Sequence, residues 1–205
     1  GSEMCIRDSL NSLKSARIAW HDCFYQSRVS VLAVAEETAA LGCSVQRTER
    51  DSRTYVAMHQ AVCGRIQKAI QTLPLHLRTF GDWMYSPLAT DDQKDFAEAL
   101  IYQMAHIKFE MTLKKKEKAR AVARAVLFRY RRMHQGGQSE GIDPLAKPEH
   151  FRTWVELECG VKLSEFNFVR EWQEYIDACF NVCNDLDKEA LKPVAQLIGS
   201  MRQAA

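Results

Sequence analysis

Ten lysine and arginine residues lie between Lys108 and Arg132, where only two glutamates occur, so this stretch has a local charge of +8. The whole chain carries only +2, and the remainder therefore sums to −6. Charge that is confined to one element marks a surface for an oppositely charged partner. The chemistry that this stretch predicts is anion binding, either to the phosphate backbone of a nucleic acid or to an acidic protein surface.

A helical wheel of Lys114 to Met133 separates an apolar face from a basic face. The apolar stripe, which is suited to packing on the preceding helix, comprises Ala119, Val122, Ala123, Val126, Tyr130 and Met133. Phe128 falls among the basic side chains, and nucleic-acid sites use such a ring to stack on a base. The alternative is that a neighbouring helix covers Phe128 and that water solvates the charges. The predicted partner-binding residues are Lys114, Lys118, Arg120, Arg124, Phe128, Arg131 and Arg132.

The C-terminal part of the chain has the opposite charge. Residues 149–189 include ten acidic and four basic side chains. Docking of this part on the basic helix would explain the segregation of charge without any ligand. Only direct contact would matter, because salt screens charges over about 8 Å at physiological ionic strength.

The segment from Thr153 to Trp172 is similar to a helix-turn-helix in its Gly160 turn and in its apolar spacing. Glu156 occupies a position where that motif needs a small residue, and three glutamates outnumber Arg170 on the helix that would read DNA. A DNA-reading motif is therefore disfavoured here.

Four side chains have the types that could bind zinc: His21, Cys23, Cys179 and Cys183. No CxxC pair occurs, and both stretches lie in apolar helical segments, so we expect buried, reduced thiols and no metal. The chain also lacks GxGxxG, GxxxxGK[ST] and GxSxG signatures. We therefore expect no catalytic residue, no cofactor and no enzymatic activity.

Residues 1–9 read as an adapter-like leader that is not native, without the basic and apolar regions of a signal peptide. No run approaches the roughly 18 apolar residues of a membrane span. We expect a cytoplasmic protein without a membrane partner, and its oligomeric state is left open.

The elements that position these residues are all predicted to be helices, because apolar residues recur at spacings of three, four and seven. The fold class is all-α, an antiparallel bundle of about six to eight helices. A capping box from Thr90 to Gln93 predicts the start of one helix, with a break near 112–116 before the basic helix. The expected inward residues of the helix that starts at this capping box are Phe96, Leu100, Met104, Ile107 and Met111.

The C-terminal part is predicted to contain three helices. A short one ends at Gly160, a longer one begins after Ser164, and a final one covers Lys188 to Met201 with a bend at Pro193. The expected inward residues of the second are Phe166, Val169, Trp172, Ile176 and Phe180. Three glycines and two prolines within 136–148 predict a linker. It would separate a helical core at 10–135, which includes the basic helix, from an acidic helical part at 149–205.

The run from Leu73 to Pro87 resembles segments of uncharacterised temperate-phage proteins. This resemblance implies a phage or mobile-element origin, where small regulators and inhibitors of host machinery are common. The first hypothesis is a non-enzymatic regulator that associates with nucleic acid or a nucleoprotein complex through the basic helix face. The alternative is a protein-binding inhibitor or adaptor that acts on a host complex.

Overall fold

The described chain is a bundle of helices joined by short non-helical segments. The computed structural model describes residues 16–24, 49–134 and 143–203, and these residues form seven helices and no strand. The helices are α1 (16–24), α2 (Glu49–Gln71), α3 (Leu75–Tyr85), α4 (Asp91–His106), α5 (Leu113–His134), α6 (Pro148–Cys159) and α7 (Phe168–Gln203). The predicted all-α bundle is confirmed. The predicted leader at 1–9 lies outside the described residues.

The longest helix, α7, packs against α2, α3, α4 and α5. Its buried side continues without interruption past Pro193, through Trp172, Ile176, Cys179, Cys183, Leu186, Ala190, Leu191 and Val194. The predicted separate final helix is therefore wrong, since residues 188–201 belong to α7. One apolar stripe holds both halves of the helix on the same core.

Helices on both sides of the 136–148 stretch contribute to one hydrophobic core. Before that stretch, α5 contacts α6 and α7, which follow it. Phe151 and Val155 of α6 are buried in the same cluster as Val122 and Val126 of α5. Residues 135–142 lie outside the described part of the chain.

Several helix ends follow the sequence signals. Gln93 donates its backbone N–H to Thr90 Oγ1 at 3.4 Å, and Thr90 donates its own to Gln93 Oε1 at 3.0 Å, which confirms the capping box. Gly160 ends α6 with a φ of +65°, the left-handed conformation that favours glycine. The predicted break before the basic helix lies at 107–112, slightly earlier than expected.

The predicted inward face of α4 is correct only in part, since Leu100 of α4 and Met111 beyond its end are partly buried against the core. Phe96, Met104 and Ile107 are 41%, 38% and 84% exposed. The buried residues are instead Ala97, Ile101 and Ala105. Small alanine side chains allow α4 to pack closely against α3 and α7. The inward face had been predicted from the positions of the larger apolar residues.

The predicted start of the long C-terminal helix is also wrong. The helix begins at Phe168, so Ser164 does not cap it, and Phe166 and Val169 are 97% and 58% exposed. The chain between Gly160 and Phe168 is not helical. Inward positions that were predicted by assuming a helix from Ser164 onward are therefore not all buried. Trp172 and Ile176 are buried as expected.

A buried carboxylate connects four helices. Arg17 Nη2 of α1 donates to Asp187 Oδ2 of α7 at 2.6 Å, and Asp187 is only 2% exposed. Tyr85 of α3 donates its hydroxyl to Asp187 Oδ1. Tyr130 of α5 donates to Asp187 Oδ2 at 3.2 Å. This cluster links α1, α3, α5 and α7 through a single carboxylate.

Candidate partner-binding groove

A groove runs between α4, α5 and α6, with one end reaching Trp83 of α3. It consists of two adjoining hollows of about 550 Å³ and about 340 Å³, which share Glu98, Arg124 and Glu158. We call the first the larger hollow and the second the aromatic pocket. Four of the predicted partner-binding residues line the groove: Arg120, Arg124, Phe128 and Arg131.

The larger hollow combines arginines with carboxylates. Arg124 Nε donates to Glu98 Oε1 at 3.1 Å. Burial raises the pKa of Glu98, and the nearby Arg124 charge partly offsets that effect. Arg120 lies 5.2 Å from the centre of the Tyr102 ring, a cation–π contact. The carboxylates that line this hollow are Asp95, Glu98, Glu117 and Glu158.

The aromatic pocket has three rings in its wall. Phe128 is half-buried and stacks on Trp154, with ring centroids 4.9 Å apart and an interplanar angle of 24°. The Arg131 guanidinium lies 3.8 Å from the centre of the Trp83 ring, and Arg132 lies 5.8 Å from that of Phe128. A neighbouring helix, α6, therefore covers one face of Phe128, and the rest of the side chain lines the pocket.

The other predicted residues do not line the groove. Lys114, Lys118 and Arg132 are exposed, and Lys118 Nζ donates to the Lys162 carbonyl at 3.1 Å. Arg129, which was not among the predicted residues, donates to Asp143 Oδ1 at 2.8 Å and to Asp143 Oδ2 at 2.5 Å. Intramolecular partners therefore engage much of the positive charge on α5.

The acidic C-terminal part packs on the basic helix, yet few of its carboxylates pair with that helix. Within the described residues, the ion pairs of α5 are Arg124 with Glu98 and Arg129 with Asp143. Neither acid belongs to the 149–189 segment. Helix α5 contacts α7 through shared core residues, through the hydrogen bond from Tyr130 to Asp187, and through ring contacts such as that of Arg129, which lies 4.9 Å from the centre of Phe180.

The thiols are placed as core residues. Cys23, Cys179 and Cys183 are buried, and burial raises the pKa of Cys23 and of Cys179 to about 12. Within the part of the chain that the structure describes, no three His, Cys, Asp or Glu side chains are placed to hold a metal ion. The zinc arrangement of His21 with these cysteines is therefore not formed.

Sequence reasoning did not select Glu98, Tyr102, Trp83 and Trp154 as parts of a site. Glu98 lies 26 positions from its partner Arg124, and no local pattern links them. Trp154 lies in the segment that we compared with a helix-turn-helix, and that comparison did not indicate a contact with Phe128. The one available signal was that Phe128, on the basic face, required some cover.

No family model, curated protein or solved structure matches this chain. None of the seven described helices combines the length and the apolar character that crossing a bilayer requires.

Proposed function

We propose that the protein is a non-enzymatic cytoplasmic regulator that binds another protein through the groove, as an adaptor or inhibitor. The observation that carries this proposal is the convergence of Arg120, Arg124 and Arg131 with aromatic side chains in one concave surface. Arginine, tyrosine and tryptophan are the residue types that dominate the binding energy of protein interfaces. The phage resemblance of Leu73 to Pro87 suggests a host complex as the class of partner.

The charge of the groove favours a protein partner over a polyanion. Four carboxylates line the larger hollow and would repel a phosphate backbone. Arg124 already pairs with Glu98. A protein surface can offer both signs of charge, whereas a nucleic acid backbone offers only one.

An exposed apolar face of α4 supports the same conclusion. Phe96 and Met104 of α4, together with Ile107 just after its last residue, lie next to the positions that line the groove. Exposed apolar surface beside polar, concave surface is typical of protein interaction sites. The apolar residues would extend the contact beyond the groove.

Nucleic acid is the second candidate partner. The exposed side chains of Lys114, Lys118 and Arg132 favour it, because they present positive charge to solvent outside the groove. Binding through these residues would depend on phosphate contacts and would carry no base specificity.

Photo-crosslinking from the groove tests the first proposal. Gln103 is exposed and lines the larger hollow, whereas Gln196 is exposed on α7 and does not line the groove. We expect benzoylphenylalanine at position 103 to form a specific protein adduct in bacterial cells, and the same group at position 196 to form none. The adduct should disappear when Arg120 and Tyr102 are replaced by Ser and Ala.

A salt titration against a mixed DNA and RNA pool tests the second. Nucleic-acid binding would give a logarithmic slope of about −0.7 to −0.9 per phosphate contact. Replacement of Lys114, Lys118 and Arg132 by Ala would then flatten the slope. Tight, salt-sensitive retention of the pool together with no adduct from position 103 would overturn the protein-partner proposal.

A further inference from the structure

The aromatic pocket contains two buried hydrogen-bond donors without an acceptor. Trp83 Nε1 and Arg131 Nε are both covered and make no hydrogen bond, and both side chains line the pocket. Buried N–H groups in folded proteins almost always have a hydrogen-bond partner, because a buried donor without one loses its hydrogen bonds to water and forms none in their place. Two such groups in one pocket point to a ligand that supplies an acceptor.

The positive charge of Arg131 is also uncompensated. Arg124 and Arg129 each pair with a carboxylate. Among the described residues, by contrast, no carboxylate lies within ion-pair distance of Arg131, whose guanidinium rests on Trp83. Burial, together with the charge of Arg132, lowers the pKa of Arg131. An anion beside this guanidinium would supply the missing counter-ion and would offset the lowering of its pKa.

The size and lining of the pocket restrict the ligand. A volume of about 340 Å³ accommodates one or two side chains, near the lower end of the range for ligand pockets. Leu127 and the stacked rings of Phe128 and Trp154 form apolar walls. The charged residues of the lining are Lys94, Arg124, Arg131, Glu98 and Glu158, which leave a single net positive charge. One carboxylate balances that charge, whereas a dianionic phosphate exceeds it and faces the two glutamates.

We infer that the aromatic pocket binds a carboxylate carried beside an aromatic or aliphatic side chain, supplied by an acidic segment of the protein partner. The carboxylate accepts hydrogen bonds from Arg131 and from Trp83 Nε1. The apolar side chain packs on Phe128 and Trp154. Arg131 tilts away from the face of Trp83 to uncover both donors. Only the source of the carboxylate rests on the proposed function.

Titration of the full chain with two matched dipeptides tests the inference. The probes are acetyl-Phe-Asp-amide and acetyl-Phe-Asn-amide, which have nearly the same shape but present a carboxylate in one case and an uncharged carboxamide in the other. The readout is the indole N–H signal of Trp83 in ¹H–¹⁵N spectra, identified among the four tryptophans by its loss in Trp83→Phe. We expect the Asp probe to move this signal downfield with saturation, and its Kd to be about tenfold lower than that of the Asn probe.

Two variants assign the preference to the pocket. Arg131→Gln should bring the two dissociation constants to about the same value. Arg65→Gln, an exposed arginine of α2 that does not line the groove, should leave the tenfold preference intact. Equal affinity of the native chain for both probes would overturn the inference, as would an Asp preference that survives Arg131→Gln.

The titration and the crosslinking experiment fail independently. A tenfold Asp preference without an adduct from position 103 would support the carboxylate site in the pocket and would contradict the proposed binding of a protein partner through the groove. An adduct from position 103 with no Asp preference would support the proposed function and would contradict the carboxylate site.

Discussion

Arg17 and Asp187 are 170 positions apart in the chain, yet their side chains form an ion pair at 2.6 Å in the core. Burial by itself lowers the pKa of Arg17, but Tyr85 and Asp187 outweigh burial and raise it. Burial and the same carboxylate raise the pKa of Tyr85, which therefore remains a hydrogen-bond donor. The pair connects the short helix α1 to the longest helix of the bundle.

Loss of the Asp187 charge should destabilise the fold. We expect Asp187→Asn to lower the free energy of unfolding by about 3–5 kcal/mol, because Arg17 would keep a largely buried charge without a counter-ion. Asp185→Asn, at an exposed position of the same helix, should change it by no more than about 0.5 kcal/mol. Urea unfolding of the two variants measures the difference. Equal, small effects would show that the ion pair contributes little to stability.

Gly81 is required by the close approach of Trp20. A Cβ atom at position 81 would lie 2.6 Å from Trp20 Cζ2, and the Trp20 ring is fully buried and cannot move freely. We expect Gly81→Ala to cost about 1–3 kcal/mol through overpacking. Gly64 is the matched control, since it is helical and exposed and has nothing within 4 Å of its Cβ position. Gly64→Ala should be neutral or stabilise by up to about 1 kcal/mol. Similar melting temperatures for the two variants would contradict this assignment.

The stack of Phe128 on Trp154 should be measurable as a coupling energy. We expect a double-mutant cycle of Phe128→Leu and Trp154→Leu to give about 0.5–1.5 kcal/mol, the range for an aromatic pair beyond its buried area. Chemical denaturation of the four proteins provides the cycle. Strict additivity would mean that α6 does not cover Phe128 and that the whole ring is available to a partner.

His134 should make stability depend on pH. Burial and the nearby Arg17 charge lower the pKa of His134, and Asp187 partly offsets this effect. The unfolded chain, with a histidine pKa of about 6.5, therefore binds this proton more readily than the folded chain. The stabilisation is present above about pH 6.5 and is lost as the pH falls below that value through the lower folded-state pKa of His134.

Unfolding of the native chain and of His134→Gln at pH 7.5 and 5.5 tests this dependence. We expect the native chain to lose more stability than the variant between the two values. His150→Gln, at an exposed position of α6, should behave like the native chain. The same pH dependence in all three proteins would contradict the assignment.

The buried thiols should resist alkylation. With a pKa of about 12, Cys23 and Cys179 carry almost no thiolate at pH 8, and the thiolate is the reactive form. We expect peptide mapping after iodoacetamide treatment to find Cys23, Cys179 and Cys183 unmodified in the native protein and modified in urea. Stoichiometric zinc in the purified protein, or a chelator that lowers the melting temperature, would contradict the expectation of metal-free thiols.

Local sequence signals were sufficient to predict the fold class and several helix ends. Helical periodicity, the Thr90 capping box and the Gly160 stop are local signals that involve residues a few positions apart. The buried stripe of α5, from Ala119 to Tyr130, follows from the same periodicity. Each of these features is encoded within a few turns of chain and could therefore be predicted without tertiary contacts.

Which side chains meet between helices depends on the packing of the bundle. Arg124 pairs with Glu98, and Phe128 stacks on Trp154, across helices whose relative rotation no local pattern specifies. The inward face of α4 also depended on packing, because alanines allow close approach where larger residues would not. The sequence therefore predicted a basic helix. Only the packing of α4 and α6 against it turned part of that helix into the wall of a groove with mixed charge.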